Sequence, residues 1–423
     1  MRSDHRDAQR LAILLDAGVF ESLGLLFHRA TSVKWRTAKS DRKDAVPYDY
    51  FGDAKSRRLD SLTGEDYLIQ DFGLSRETIR TFMSPLYAQG SGLGPDALSA
   101  LKLQYNYVSA EGRGPETGFQ MFPGGMTGLA RLITKTTIPD SIAGLRTLEA
   151  VCSGRINFEA LDYAGNAVRI RLNSTVVRVE HDQDAAGSNF VWVTYTRGGM
   201  TYRLKALAVI MAGGCWITPH VTRDLPSSYR EAYGEFHRSA CLVANVAVRN
   251  WKFLYKLGIS GGRWFEGLGD WTEVRKMATF GPDQKTTGPD SPTVLTLYAP
   301  LFYPGLPTRE QGERGRVELL STPFVDYERT IREQFTDMFG SSGFDAKRDI
   351  AGIVLNRWGH AFVNPQPGFF FGTGGKPAAR DLLRRQPFGR IAFANTDLSG
   401  TMDHLSAIVE AHRAVYQIWG VVS

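Results

Sequence analysis

Ala206-Leu-Ala-Val-Ile-Met-Ala212, stopped by Gly213-Gly214, is the stretch on which the fold turns. A strand with one wet face alternates apolar and polar residues, whereas this run has no polar position, the pattern of a strand covered on both faces inside a parallel sheet. A second short strand of the same kind, Arg390-Ile-Ala-Phe-Ala394, comes near the end of the chain. It leads to a helix over Leu405–Val421 with Leu405, Ile408, Val415, Ile418 and Trp419 along one side. Two buried strands so far apart in sequence imply one sheet interrupted by an insertion.

Upstream of the first strand the period is two. Val168-Arg-Ile-Arg-Leu172 alternates, Thr175–Val179 is β-branched, and Phe190–Thr196 pairs with Thr201–Leu204 across Arg197-Gly-Gly-Met200, which reads as a β-meander. Earlier still, Phe122-Pro-Gly-Gly-Met-Thr-Gly-Leu-Ala-Arg-Leu-Ile133 is a glycine turn feeding a helix. The first stretch, roughly Arg2 to Tyr107, reads as mainly helical, with Leu11, Leu14, Leu15, Val19, Leu23 and Leu26 at helical spacing. Lys39–Asp44 is a charged loop, and further helices are expected at Thr63–Phe72, Ser75–Phe82 and Asp96–Tyr107. Between residues 216 and 349, strands at Cys241–Val248 and Thr293–Tyr298 mix with a helix at Phe324–Phe339, an α+β pattern.

With 423 residues, of which 43% are hydrophobic and 22% charged, the chain has the make-up of a multidomain globular protein. Its apolar runs fall short of the ~20 residues that cross a bilayer, and the polar start has no signal peptide's apolar region. As the chain stands this implies no membrane span and a cytoplasmic location, or a periplasmic one if an upstream export signal is missing. The 50 basic and 44 acidic residues leave a charge of +6, scattered instead of gathered in a stripe, so nucleic acid is not an expected partner. Cys152, Cys215 and Cys241 form no Cys-x-x-Cys, and the 8 histidines form no His-x-His or His-Glu-x-x-His, so neither a disulfide framework nor a metal site is indicated. No Gly-x-Ser-x-Gly appears, which removes the usual start of hydrolase chemistry.

Three junctions remain where a strand or loop ends in glycines or small polar residues just before a helix or turn: Pro123–Gly128, Ala212–Cys215 and Asn395–Leu405. Such ends leave backbone N–H groups facing outward for an anion or a carbonyl. The start of the last helix would turn its positive end toward an electron-rich ring edge, and the N1/C2=O side of a flavin suits that geometry. Asp397 could accept hydrogen bonds from a sugar-alcohol chain. Each junction taken singly reads first as an ordinary cap or strand end.

In their order, however, Phe122–Leu132, Leu172–Val179, Leu207–Ala212, Gly389–Asp397 and Leu405–Ala411 resemble the successive blocks of FAD-dependent amine oxidoreductases. Asp71-Phe-Gly-Leu-Ser75, Gly90–Leu101 and Asn356-Arg-Trp-Gly-His-Ala-Phe362 are most similar to bacterial spermidine dehydrogenase-like proteins. The resemblance implies an α/β fold: a partial, discontinuous Rossmann-like FAD-binding domain, an α+β substrate domain and an N-terminal helical region. Residues 1–115 would belong to the substrate or cap domain, 116–215 to the FAD-binding domain with its meander, 216–349 to the substrate domain, and 350–423 to the return into the FAD-binding domain.

The resemblance further implies FAD as cofactor, held by Gly124, Gly125, Val176 (through its backbone), Ala212, Gly213, Asn395, Asp397, Leu405, Ser406 and Ala407. Hydride would pass to it from the carbon next to the nitrogen of an amine or polyamine, and electrons would leave to an unnamed acceptor. Trp358 and His360 are the candidate catalytic residues, an aromatic wall and a group able to take a proton at neutral pH, with Trp264 and Phe265 as further aromatics. Haem occurs in some relatives of this kind, but no Cys-x-x-Cys-His is present and no axial ligand can be named.

One departure stands out. The family opens with a βαβ unit carrying Gly-x-Gly-x-x-Gly for the pyrophosphate, and this chain has none: Gly90-Ser-Gly-Leu-Gly94 has the wrong spacing and no strand before it, and Gly372-Thr-Gly-Gly-Lys376 reads as a surface loop. The sheet would then have unpaired edges and call for a partner segment. Three readings follow: an amine dehydrogenase, a flavoprotein desaturase or oxidase of another substrate, or a truncated, non-catalytic fragment that binds a partner through its edges.

Overall fold

The computed structural model describes residues 52–103, 124–264, 267–269, 271–274 and 288–422. The helical pattern at Leu11–Leu26, the loop Lys39–Asp44, residues 104–107 and 122–123, and Phe265 lie outside them.

Short helices open the described chain: α1 (Ala54–Asp60), α2 (Gly64–Phe72) and a continuous run, α3, made of Arg76–Thr78, the π turn Ile79–Met83 and Ser84–Ser91. Caps set their starts, since Thr63 Oγ1 accepts the Asp66 N–H at 3.0 Å and Ser75 Oγ accepts the Thr78 N–H at 3.0 Å. The second cap therefore begins a longer helix than Ser75–Phe82. Pro85, at the start of its last part, brings no N–H to the ladder, and the π turn stands immediately before that part. Gly92, at φ +80°, ends it.

Helix α4 (Gly125–Thr137) starts from the glycine turn as expected, and α5 (Leu148–Ser153) packs beside it. The meander is β1 (Thr175–His181), β2 (Val191–Arg197) and β3 (Met200–Ala206) in that order. The β2–β3 hairpin has the expected register, Thr196 opposite Thr201, because Gly198 (φ +57°) and Gly199 (φ +76°) supply the two left-handed positions of its turn. Val168–Leu172 is not a strand. Arg169 and Arg171 alternate because both reach one carboxylate, Asp162, each through Nε at 2.8 Å.

The apolar run then yields a short strand, β4 (Val209–Met211), since Ala206 still belongs to β3. A five-stranded antiparallel sheet follows, built from β5 (Arg238–Val248), β6 (Gly261–Arg263), β7 (Trp271–Val274), β8 (Thr293–Leu301) and β9 (Ile350–Val363) in the order β6-β7-β8-β5-β9. Strand β9 pairs with β5 through to Val363, so this sheet takes in residues that the sequence reading places in the returning segment from 350. Helices α6 (Thr308–Ser321) and α7 (Phe324–Phe339) accompany the sheet, and Ile331, Phe335 and Phe339 of α7 bury with Ala244, Val246, Leu295 and Leu297.

The chain returns through α8 (Ala379–Arg385) to β10 (Ile391–Phe393) and α9 (His404–Val422). Strand β10 pairs with β4 in parallel, Ile391 opposite Val209 and Phe393 opposite Met211. The parallel, discontinuous pairing is as expected, but among the described residues this sheet has two strands only, so neither lies inside it. Glu410 on α9 is fully buried between Arg384 (3.0 Å) and Arg413 (2.7 Å), which fastens the helix to α8.

Candidate active site

Because β4 and β10 are parallel, their carboxyl ends come out side by side, and in open α/β sheets that is where ligands bind. Ala212-Gly213 leaves one strand and Ala394-Asn395 the other. Ala394 N–H donates to Met211 O at 2.9 Å and Asn395 Nδ2 to Ala212 O at 3.3 Å, so the two ends hold each other. A Cβ added to Gly213 would have only Ile217 Cγ2 near it, at 3.5 Å, so its backbone can be approached closely.

Asp397 follows in the next turn and is 6% exposed. Its Oδ2 accepts the Cys215 N–H at 3.1 Å and two guanidinium N–H groups of Arg238, Nη2 at 2.6 Å and Nε at 3.2 Å. Arg238 opens β5, so this buried pair ties the parallel strands to the large sheet. Both N–H groups converge on the one oxygen Oδ2, a charge-assisted pair in which each ion compensates the other's burial. Oδ2 of the carboxylate expected at the cofactor is thus taken by an arginine and a backbone N–H of the chain itself.

The Arg238 guanidinium also lies 5.0 Å from the Trp216 ring centre, a cation–π distance. Trp216 in turn stacks on His360, centroids 4.6 Å apart and planes within 10°. Gly214 permits this, since a Cβ there would lie 2.0 Å from the indole. His360 shares a face of β9 with Trp358, a residue that is 58% exposed. Burial, then Arg316 and Arg238, pull the His360 imidazole down to about 4, against a weaker upward pull from Asp397. It is therefore uncharged at neutral pH, which suits a stacking wall better than the proton acceptor set out from the sequence.

At the start of α9, Asp403 Oδ1 accepts the Ser406 N–H at 2.7 Å and its Oδ2 the Ser406 hydroxyl at 3.2 Å. The helix is thus capped by its own carboxylate. Ser406 is buried while Leu405 and Ala407 face outward. Beneath lies Lys102, 1% exposed, which burial pulls down to about 8 while Asp403 draws it up.

The remaining expected residues stand elsewhere. Val176 is on β1 opposite Tyr195, beside a bulge. Gly124 (φ +78°) and Gly125 (φ +67°) begin α4; a Cβ on Gly124 would meet Cys152 Sγ at 2.9 Å, so its smallness serves the packing on α5, while Gly125 is open. Arg238, Trp216 and Arg316 are the residues that sequence reasoning missed. Trp216 directly follows the Gly-Gly-Cys turn and could have been found there; the arginines carry no local signal.

No protein-family model matches the chain, and no curated protein matches it by sequence. Solved structures do. Cyclohexylamine oxidase from Brevibacterium oxydans IH-35A is similar at 17% identity and a TM-score of 0.53, covering 95% of this chain and 74% of its own. Putrescine oxidase bound to putrescine is similar at 15% identity and a TM-score of 0.54, covering 96% of this chain and 76% of its own. A double mutant of putrescine oxidase, at 15% identity, reaches a TM-score of 0.55. The chain thus has the mixed helix-and-sheet fold that these amine oxidases share.

Proposed function

We propose that the chain is an FAD-dependent oxidoreductase acting on amines. The observation that carries the reading is the convergence, at the carboxyl ends of two parallel strands, of an approachable glycine backbone, a stacked Trp216–His360 pair and the Arg238–Asp397 ion pair. The fold shared with amine oxidases supports it.

The residues present fit the ring end of such a cofactor. Ala212 and Gly213 offer bare backbone, Leu405 and Ala407 an outward surface at the head of α9, and Trp216, a residue 40% exposed, an apolar ring. Asn395 and Asp397 serve as supports: the first holds the two strand ends together, the second fixes Arg238 and Cys215. Bound FAD would supply the oxidation itself, as acceptor of a hydride from the carbon beside the neutral amine nitrogen; the amine would be left as an iminium cation, which gives the imine by losing a proton to water. The chain's part is to orient the amine against an aromatic wall, keep His360 uncharged and shield the site from water.

The pyrophosphate end belongs to a partner segment in this proposal. Strands β4 and β10 have one neighbour each among the described residues, and a further strand or βαβ unit on an open edge would bring the N–H groups that phosphate needs. A periplasmic or cytoplasmic site of action and an electron acceptor outside the chain belong to the proposal as well, whereas the polyamine substrate that the resemblance implies does not, because an uncompensated arginine stands beside the stack.

The test is a visible spectrum of the purified chain with and without added FAD, followed by anaerobic addition of an amine. A flavin absorption that bleaches on amine addition is the expected result. A protein that stays colourless with excess FAD and leaves every amine untouched would sink the reading.

A further inference from the structure

Arg316 lies on α6 beside the Trp216–His360 stack. Its Nη1 donates to Gly359 O at 3.0 Å, to Arg238 O at 3.4 Å and approaches His360 Nδ1 at 3.4 Å. All three contacts use one terminal nitrogen, so among the described residues Nη2 and Nε have no acceptor. The side chain is half-buried, and burial pushes its guanidinium down from the usual range, with Glu313 opposing and Arg238 adding to the fall. Neither nearby carboxylate is hydrogen-bonded to it. Asp397 is bonded to Arg238, and Glu313 accepts from Arg309 at 2.9 Å.

The charges around the stack therefore do not cancel. Arg238 and Asp397 neutralise each other, His360 is uncharged, and Arg316 is left over with one edge of its planar fork unused. A half-buried guanidinium in that condition favours an anion, and a carboxylate matches the fork with two parallel N–H···O bonds. A polyamine would instead bring ammonium groups toward an uncompensated cation, an arrangement that selects against it.

We infer that the amine taken by this site carries a carboxylate, as an α-amino acid does, and that the free edge of Arg316 receives that carboxylate beside the Trp216–His360 stack. The inference rests on the oxidoreductase reading for its chemistry, but the anion site stands on its own contacts. The carboxylate fixes one end of the substrate, and the side chain lies along the aromatic wall.

The test uses the full chain titrated by calorimetry with 4-methylpentanoate, isoamylamine and 1,4-diaminobutane, in wild type and Arg316→Gln. The carboxylate should bind at least tenfold tighter than either amine, weaken with added salt, and lose at least tenfold in an R316Q protein that still melts cooperatively. Diamine binding tighter than the carboxylate, or carboxylate binding unaltered by R316Q, overturns the inference. If R316Q does not fold, the wild type decides alone: no preference for the carboxylate, or no salt dependence, is a failure. Flavin content is read separately by absorbance. A colourless chain that still binds the carboxylate through Arg316 sinks the oxidoreductase reading and keeps the anion site. A yellow chain that oxidises isoamylamine as fast as leucine, in both R316Q and wild type, sinks the carboxylate inference only.

Discussion

The five-stranded sheet and the parallel pair are made from the same kinds of residue, yet they end in different states. In the first, α7 spends its apolar face on the sheet: Ile331 and Phe335 have no exposure and Phe339 has 2%. In the second, α9 buries Ser406, Glu410 and Ala414, while Ile408, Val415 and Val422 are 54%, 49% and 42% exposed among the described residues. Those three share one side of the helix by their spacing. An apolar stripe tells that a helix can be covered, and the neighbouring strands decide whether it is. Among the described residues the large sheet brings its own cover, five strands wide, whereas the parallel pair is two strands wide.

The largest effect that would test this contrast comes from Ile331→Ser. The change removes a fully buried side chain from the α7 core and leaves a hydroxyl there, at a loss of about 4 kcal/mol or more. A denaturant titration should show it as a large fall in midpoint. A loss below about 1 kcal/mol would mean that the sheet region is no better packed than the parallel pair. Glu410→Gln comes next, because this carboxylate is the fully buried ionic anchor of α9. Removing the buried charge takes the carboxylate from both arginines, at about 3 kcal/mol. The low end of the range applies because Arg413 keeps Phe393 O as an acceptor, at 2.5 Å. The same titration checks it, and a neutral result would remove the argument that α9 is held by ions instead of by apolar contact.

What the sequence made legible follows the same division between local and distant causes. The β2–β3 hairpin, α7 and the parallel pairing of β4 with β10 were readable because two glycines, a four-residue repeat and an unbroken apolar run are each local patterns. The full length of β9 was not, since Gly352, Asn356, Arg357 and Gly359 interrupt its apolar signal and its pairing with β5 spans more than a hundred positions. Val168–Leu172 imitated a strand because two arginines two residues apart share a carboxylate partner. At the site, glycines and Asp397 could be marked in advance, but not that Asp397 would be claimed by Arg238, which is 159 positions away. An arginine's role depends on which acceptor the fold leaves beside it, and no local spacing records that.

The meander offers a pH measurement. Arg171 first, then Arg169, hold the Asp162 carboxyl down to about 2, and Arg197 lies 3.4 Å from it. A carboxyl depressed in the folded state contributes stability that is present above its unfolded value of about 3.9 and is lost as the pH falls through the folded one. Melting temperatures of wild type should therefore fall more steeply between pH 4 and about 2 than those of Asp162→Asn. The step should be small, because the arginines are well solvated. Parallel curves for the two proteins would show that these ion pairs do not hold the meander.

The smallest effect is expected from Ile408→Ser, and it bears most directly on the contrast. Isoleucine and serine have similar helix propensity, so the backbone of α9 should not register the exchange. The side chain that is lost is more than half exposed, and little apolar area returns to water when it goes. Stability should stay within about 0.5 kcal/mol of wild type, although the same substitution at Ile331 costs several times more. The two helices present isoleucine at the same kind of position, so the difference between the two variants isolates what the covering sheet contributes. A loss at Ile408 close to that at Ile331 would mean that the stripe on α9 is covered in solution, and the two regions would then differ in what covers them, not in whether they are covered.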